Sequence, residues 1–150
     1  MVLATPPATT LPRMPKNEYS LSPAMSYREP LPQDCPPDEA EEIKTTRYVF
    51  RLVRTNPPTE EDFKSKRAEN LVPKPPRVSE CQFRGVSVFP KKRDAAAKTR
   101  TLPNFKGLLV CRVTLTAGAG KIKKTSPGGH HTWWPLADFD ILDNCEVESP

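Results

Sequence analysis

The chain has 150 residues, of which 19 are proline and 6 are glycine, with 36% hydrophobic and 27% charged residues. This length fits one globular domain with an extended segment, and it is short for two full domains. The sequence lacks a run of about 18 apolar residues, the length that a membrane-spanning helix needs. Its first residues have neither the basic start nor the long apolar centre of a secretory signal peptide. We therefore expect a cytoplasmic protein without a membrane span or a secretory signal.

The four cysteines are widely spaced, and no two of them form a C-x-x-C pair. They are Cys35, Cys81, Cys111 and Cys145. Structural zinc sites and redox centres usually contain such a pair, so we expect neither a metal site nor a catalytic thiol. In a reducing cytosol the expected state of all four is the free thiol.

Residues 1–43 predict a Pro-rich acidic tail, because nine prolines fall before residue 38 and remove the backbone donors that helices and central strands need. We expect the tail to be largely extended or disordered, and its removal to affect stability little. The alternative is a strap docked on the domain through Tyr19, Leu21, Met25 and Tyr27. The P-x-x-P spacing of Pro12 and Pro15 also fits a protein partner, although so many prolines produce this spacing by chance.

The remaining chain, 44–150, predicts a single α+β domain with a small mixed, mostly antiparallel sheet and two short helices. Its β-branched and apolar runs predict strands, and the segments that begin at Thr59 and Pro90 predict helices. In chain order the expected elements are a strand at 45–54, a helix at 60–69, a strand or turn at 81–89, a basic helix at 90–100, a central strand at 108–116, an edge strand at 121–125, a strand or short helix at 138–142 and a strand at 145–148. Alternation in the first strand places Val49, Arg51 and Val53 on one face.

Charge is segregated along the chain. Residues 1–42 carry three basic and seven acidic side chains, residues 43–127 carry twenty and six, and residues 128–150 carry five acidic side chains and no lysine or arginine. A central region of net charge +14 attracts polyanions at long range if its charges share a face. The dense basic groups are Lys91-Lys92-Arg93 with Lys98 and Arg100, and Lys121 with Lys123 and Lys124. Among them, Lys91, Lys92, Arg93 and Lys121 are candidate ligand-binding residues. The alternative is that these are solvated faces neutralised by the acidic ends.

The segment Gly128–Pro135 contains both histidines and both tryptophans of the chain. An imidazole can donate a hydrogen bond or carry a proton near neutral pH, and an indole can stack on a base or a nicotinamide ring. We therefore count His130, His131 and Trp133 as candidate ligand-binding residues. Adjacent histidines on an extended backbone point to opposite sides, so metal binding is not expected. The alternative is that a tryptophan plugs the core.

Three residues in a set order resemble the Arg-Ser-Glu pattern of the ADP-ribosyltransferases. Arg51 lies in an early strand, Ser87 in a mid-chain strand, and Glu146-Val147-Glu148 near the end. The resemblance implies NAD as the substrate, with Arg51 on its phosphates, Ser87 at the nicotinamide pocket and Glu148 as the residue that stabilises the oxocarbenium-like transition state. The family's serine-threonine-serine run is absent, because valines flank Ser87.

The sequence thus supports two function hypotheses. The first is a binding domain for a phosphate-rich ligand, a nucleic acid or a nucleotide, without a cofactor of its own. The alternative is an ADP-ribosyltransferase-like enzyme that consumes NAD. Convergence of Arg51, Ser87 and Glu148 on one cleft would favour the second hypothesis.

Overall fold

A computed structural model describes residues 26–149 and shows an α+β fold with two antiparallel sheets. The strands are β1 (Glu41–Glu42), β2 (Arg47–Val53), β3 (Val86–Val88), β4 (Leu109–Leu115), β5 (Gly120–Lys124), β6 (His131–Pro135) and β7 (Cys145–Val147). The α-helices are α1 (Lys66–Glu69), α2 (Glu80–Phe83) and α3 (Lys92–Thr101), and 3-10 turns span Glu60–Phe63, Pro103–Phe105 and Leu142–Asn144.

The two sheets meet along one edge of each. One has the strand order β1-β5-β6-β3 and the other has the order β2-β4-β7. Phe50 of β2 and Phe89, just after β3, exchange a pair of backbone hydrogen bonds at 2.6 and 2.8 Å. The edge strands β2 and β3 are therefore joined at this point.

The core lies between the sheets and is built from alternate residues of the strands. Val49 and Val53 of β2 and Val113 of β4 are almost completely buried, as the alternation in the first strand predicts. Ile122 of β5 and Trp133 of β6 contribute from the other sheet. Burial of such side chains is the main stabilising contribution to the fold.

Five segments differ from expectation. The edge strand expected at 121–125 is β5, which pairs with β1 on one side and with β6 on the other and so lies inside its sheet. The helix expected at 60–69 is a 3-10 turn followed by α1, with an extended Lys64 between them. Residues 81–89 divide into α2 and β3, and the expected element at 138–142 is a loop that leads into a 3-10 turn. His131–Pro135, treated as a ligand-binding loop, is a strand paired on both sides.

The expected domain boundary at Lys44 is wrong, because residues 26–43 pack on the domain. Tyr27 forms a β-bridge with Leu136, and Ile43 is 1% exposed in the core. We call residues 26–43 the strap. Its extended backbone agrees with the proline content, while its docking agrees with the alternative expectation for Tyr27. Tyr19, Leu21 and Met25 lie outside the described residues.

Two cysteines form a disulfide, which corrects the expectation of four free thiols. Cys35 of the strap is bonded to Cys81 of α2, with their Cα atoms 5.6 Å apart. Cys111 and Cys145 are free thiols, and burial raises the pKa of Cys111 to about 12. Disulfides persist mainly in oxidising compartments, so this bond argues against the cytoplasmic prediction.

Candidate ligand-binding cleft

A cleft of about 450 Å³ lies beside the junction of the two sheets. This volume falls within the range of small-molecule and cofactor sites. Its polar and charged lining consists of Arg51, Arg54, Lys64, Lys66, Glu69, Ser87, Lys98, Asn104 and His130. Its apolar lining consists of Leu52, Leu71, Val72, Phe89, Leu102, Phe105 and Leu108, with Gly85 completing the wall.

Positive charge dominates the cleft. Two arginines and three lysines line it, against the single carboxylate of Glu69. Glu69 partly neutralises one side, since it lies 3.5 Å from the Arg54 guanidinium and 3.8 Å from the Lys66 ammonium. Lys98, on α3, has no ion-pair partner among residues 26–149. An anion in the cleft would therefore meet at least one cation that has no ion-pair partner in the described part of the chain.

Arg51 is the structural link between the walls of the cleft. Its Nε donates to the carbonyl oxygen of Asp62 at 2.9 Å, and its Nη1 donates to the carbonyl oxygen of Ser87 at 2.8 Å. Its Nη2 donates to the carbonyl oxygen of Lys64 at 3.4 Å. Burial lowers the pKa of Arg51 to about 10, so the side chain is still charged at neutral pH. The guanidinium thereby fixes the 62–64 segment against β3.

His130 and Ser87 form a hydrogen-bonded pair in the cleft. The Nε2 of His130 lies 2.9 Å from the Oγ of Ser87, and its Nδ1 lies 2.9 Å from the Oγ1 of Thr125. Thr125 Oγ1 in turn lies 2.9 Å from Oγ1 of the buried Thr132. The ring of Phe89 contacts His130 edge-on, with the centroids 5.7 Å apart. Side chains from separate segments thus hold the imidazole in place.

The environment favours the neutral imidazole. Burial lowers the pKa of His130 below its usual value, and the nearby positive charges of Lys98 and Arg51 act in the same direction. A neutral ring at physiological pH keeps one nitrogen free to accept a proton.

Of the residues predicted as ligand-binding, the cleft contains only His130. Lys91, Lys92 and Arg93 lie at the start of α3, and Lys92 is bound to the carbonyl oxygen of Ser149. These three and Lys121 of β5 do not line the cleft.

Trp133 and His131 do not line the cleft either. Trp133 is fully buried, and its Nε1 donates to the carbonyl oxygen of Ala119 at 3.0 Å, so its indole is unavailable for stacking. Trp134 is 2% exposed and donates to the carbonyl oxygen of Cys81, so both tryptophans belong to the interior. The Nδ1 of His131 is bonded to the carbonyl oxygen of Gly129 at 2.8 Å.

The Arg-Ser-Glu set converges only in part. Arg51 and Ser87 are in contact, as described above. Arg51 is in register with Cys111 and Val147, so these three side chains share one face of their sheet. Glu148, one position further on, lies on the opposite face and is 3.8 Å from each of the cations of Arg112 and Lys92. The structure therefore does not bring Glu148 to the other two.

The cleft also contains Lys64, Lys66 and Phe105, which the sequence did not single out as binding residues, and it contains Lys98, which the sequence placed only within a dense basic group. They come from separate local segments, and no motif spacing connects them. Lys98 lies three positions after the buried Ala95 and so on the same side of α3, which the structure shows and the sequence does not.

Comparison of the chain with protein-family models, with curated proteins and with solved structures finds no match. Among residues 26–149 no helix is long and apolar enough to cross a membrane. Within the same range no group of three or more His, Cys, Asp or Glu side chains is placed to hold a metal ion. The geometry of the cleft is therefore the basis for assigning a function.

Proposed function

We propose that the protein binds a nucleotide in the cleft between β2 and β3. The observation that carries the proposal is the combination of five cationic side chains, one carboxylate and an apolar wall around about 450 Å³. The cations suit the phosphates, and the aromatic and aliphatic wall suits the base. The proposal keeps the predicted ligand class, a phosphate-rich molecule, and assigns it a different set of residues.

Lys64 and Lys98 are the cations best placed for phosphate. Lys98 has no ion-pair partner in the described range, and Lys64 is paired only with the largely exposed Glu61, at 3.0 Å. Exposed pairs of this kind contribute little and exchange readily for a better partner. Hydrogen bonds from a lysine to phosphate are charge-assisted and therefore stronger than neutral ones.

The apolar wall offers contact area for a ring. Phe89 is buried at the base of the cleft, whereas Leu71 and Leu102 are 73% and 41% exposed. Exposed apolar side chains that line a cleft commonly mark a binding site, because apolar surface in contact with water is unfavourable. A base packed between these side chains would cover part of that surface.

Titration calorimetry of the full chain with AMP, ADP, NAD and inorganic phosphate tests the proposal. The double variant Lys64→Glu/Lys98→Glu should lower the affinity for ADP at least about tenfold, since each charge-assisted hydrogen bond contributes about 1.5–3 kcal/mol. Lys91→Glu/Arg93→Glu is the matched control. It changes the net charge equally at two exposed positions outside the cleft, and its affinity should stay close to that of the wild type.

Equal losses in the two double variants would mean diffuse attraction of polyanions, as expected for a nucleic-acid surface. Absence of binding to all four probes would refute the nucleotide proposal. NAD is included because the resemblance to the ADP-ribosyltransferases predicts it as the substrate. The contact of Arg51 with Ser87 agrees with that resemblance. The position of Glu148 on the opposite face of the sheet from Arg51 counts against it. Tight binding of NAD with release of nicotinamide would support that alternative.

A further inference from the structure

The pairing of Ser87 with His130 has a chemical meaning beyond binding. A serine hydroxyl is a poor nucleophile until a neighbouring base removes its proton. The base must lie within hydrogen-bond reach, and a third group must fix its orientation. Ser87 Oγ, His130 Nε2 and Thr125 Oγ1 meet these conditions with two distances of 2.9 Å.

We propose that Ser87 and His130 are the nucleophile and the general base of a phosphoryl-transfer site that cleaves a nucleotide phosphoester bound in the cleft. The proposal rests on the proposed function, because the nucleotide must first bind there. It adds an activity and two catalytic residues, each of which would contact the reacting atoms.

The hydrogen-bond chain is directionally consistent with this role. With the proton of His130 on Nδ1, the ring donates to Thr125 Oγ1, and the Thr125 hydroxyl donates to Thr132 Oγ1. Nε2 then accepts from the hydroxyl of Ser87. Thr125 is a positioning residue here, because it holds the imidazole through Nδ1 and does not touch the substrate. The lowered pKa of His130 keeps Nε2 unprotonated near neutral pH.

The reaction has two steps. In the first step Ser87 Oγ attacks phosphorus, its proton passes to His130 Nε2, and the bond from phosphorus to the leaving oxygen breaks as that oxygen takes the proton. A nucleotidyl-serine remains. In the second step water attacks phosphorus and gives its proton to His130, and the bond to Ser87 Oγ breaks as the serine recovers its proton. Water is the only co-reactant.

The charges around the pair favour phosphorus over an acyl carbon as the centre attacked. Arg51 contacts the backbone carbonyl oxygen of Ser87, and the positive charge of Lys98 acts on His130. Cations placed here stabilise the equatorial oxygens of a phosphoryl group in transit.

The test uses the full chain and the p-nitrophenyl ester of thymidylate, whose cleavage releases coloured p-nitrophenolate. Wild type should release it, and Ser87→Ala and His130→Gln should each reduce the rate at least about 100-fold, the scale of nucleophilic and general-base contributions. Intact-mass analysis after rapid quenching should show one thymidylyl group on wild type and none on Ser87→Ala. The rate should fall as the pH drops through the pKa of His130. Lys91→Glu/Arg93→Glu serves as the control and should keep the wild-type rate.

Melting curves of both variants establish that they fold, and Ser87→Cys adds a variant that retains a nucleophile of similar size. A thymidylyl adduct on the introduced thiol of that variant would support the proposal even if Ser87→Ala is unstable. Binding of nucleotides without release of p-nitrophenolate or an adduct would overturn the catalytic proposal and leave the proposed function intact. Failure of both binding and turnover would overturn both.

Discussion

The disulfide between Cys35 and Cys81 should contribute substantially to the stability of the fold. It closes a loop with a sequence separation of 46 residues. For a loop of this length, the loss of chain entropy in the unfolded state corresponds to about 4 kcal/mol at room temperature. With roughly 3 °C of melting temperature per kcal/mol for a chain of this size, reduction should lower the melting temperature by about 12 °C.

Two measurements check this prediction. Circular dichroism should give a lower melting temperature for wild type in the presence of a phosphine reductant, and Cys35→Ser/Cys81→Ser should melt at that lower temperature with or without the reductant. Thiol titration of the denatured, unreduced chain should detect only Cys111 and Cys145, which are the free thiols. Four reactive thiols in the unreduced protein, or a melting temperature indifferent to the reductant, would refute the reasoning.

Three further predictions concern the strap and the cleft. Deletion of residues 1–37 should lower the melting temperature further than reduction of the disulfide does, because it also removes the contacts of Tyr27 and Glu29. An unchanged melting curve would restore the domain boundary at Lys44. Arg51→Ala should lower the free energy of unfolding in urea by about 3 kcal/mol, since three backbone carbonyls lose a charged donor, and a loss below about 1 kcal/mol would contradict this. The lowered pKa of His130 means that the unfolded chain binds the proton more tightly than the folded chain does. The contribution of the neutral imidazole to the free energy of unfolding should therefore be fully present above about pH 6.5 and should decline as the pH falls from there. Urea titrations should show a weaker decline in His130→Gln.

The elements that were predictable from sequence are those whose pattern of apolar and polar residues matches which of their faces is buried, or whose residues favour one secondary structure. β2 alternates cleanly because one of its faces covers the core, so its position was predicted to within two residues at each end, together with its inward residues Val49 and Val53. α3 was predictable from its alanines and from Pro90 ahead of it. β4 has the position expected of it, in the centre of its sheet.

The strand β6 was missed because its sequence lacks the alternation that identifies a half-buried strand. Thr132, Trp133 and Trp134 are all buried. The two tryptophans lie on opposite faces of the strand, where Trp133 packs in the core and Trp134 contacts α2. A strand buried on both faces has no polar face to mark it. The unusual composition of this segment therefore reflects packing, with His130 alone placed for chemistry.

The candidate site was harder to predict than the fold, because it depends on distant segments. Ser87 and His130 are 43 positions apart, and Arg51 and Ser87 are 36 apart. Local charge density favoured Lys91-Lys92-Arg93 as binding residues, yet these side chains do not line the cleft, whereas Lys98 of α3 does. Density along the sequence indicates where charge is abundant, and only the topology determines which charges meet.

The strap is hydrogen-bonded to the segment that carries two lysines of the cleft, although the disulfide itself does not line the cleft. Glu29 of the strap accepts hydrogen bonds from the backbone N–H of Ser65 at 2.9 Å and from its Oγ at 2.6 Å. The same hydroxyl accepts from the N–H of Ala68 and so caps α1. Lys64 and Lys66, which flank Ser65, line the cleft. The carboxylate of Glu29 therefore holds the cationic wall in position, and the bond at Cys35 keeps the strap close enough to do so.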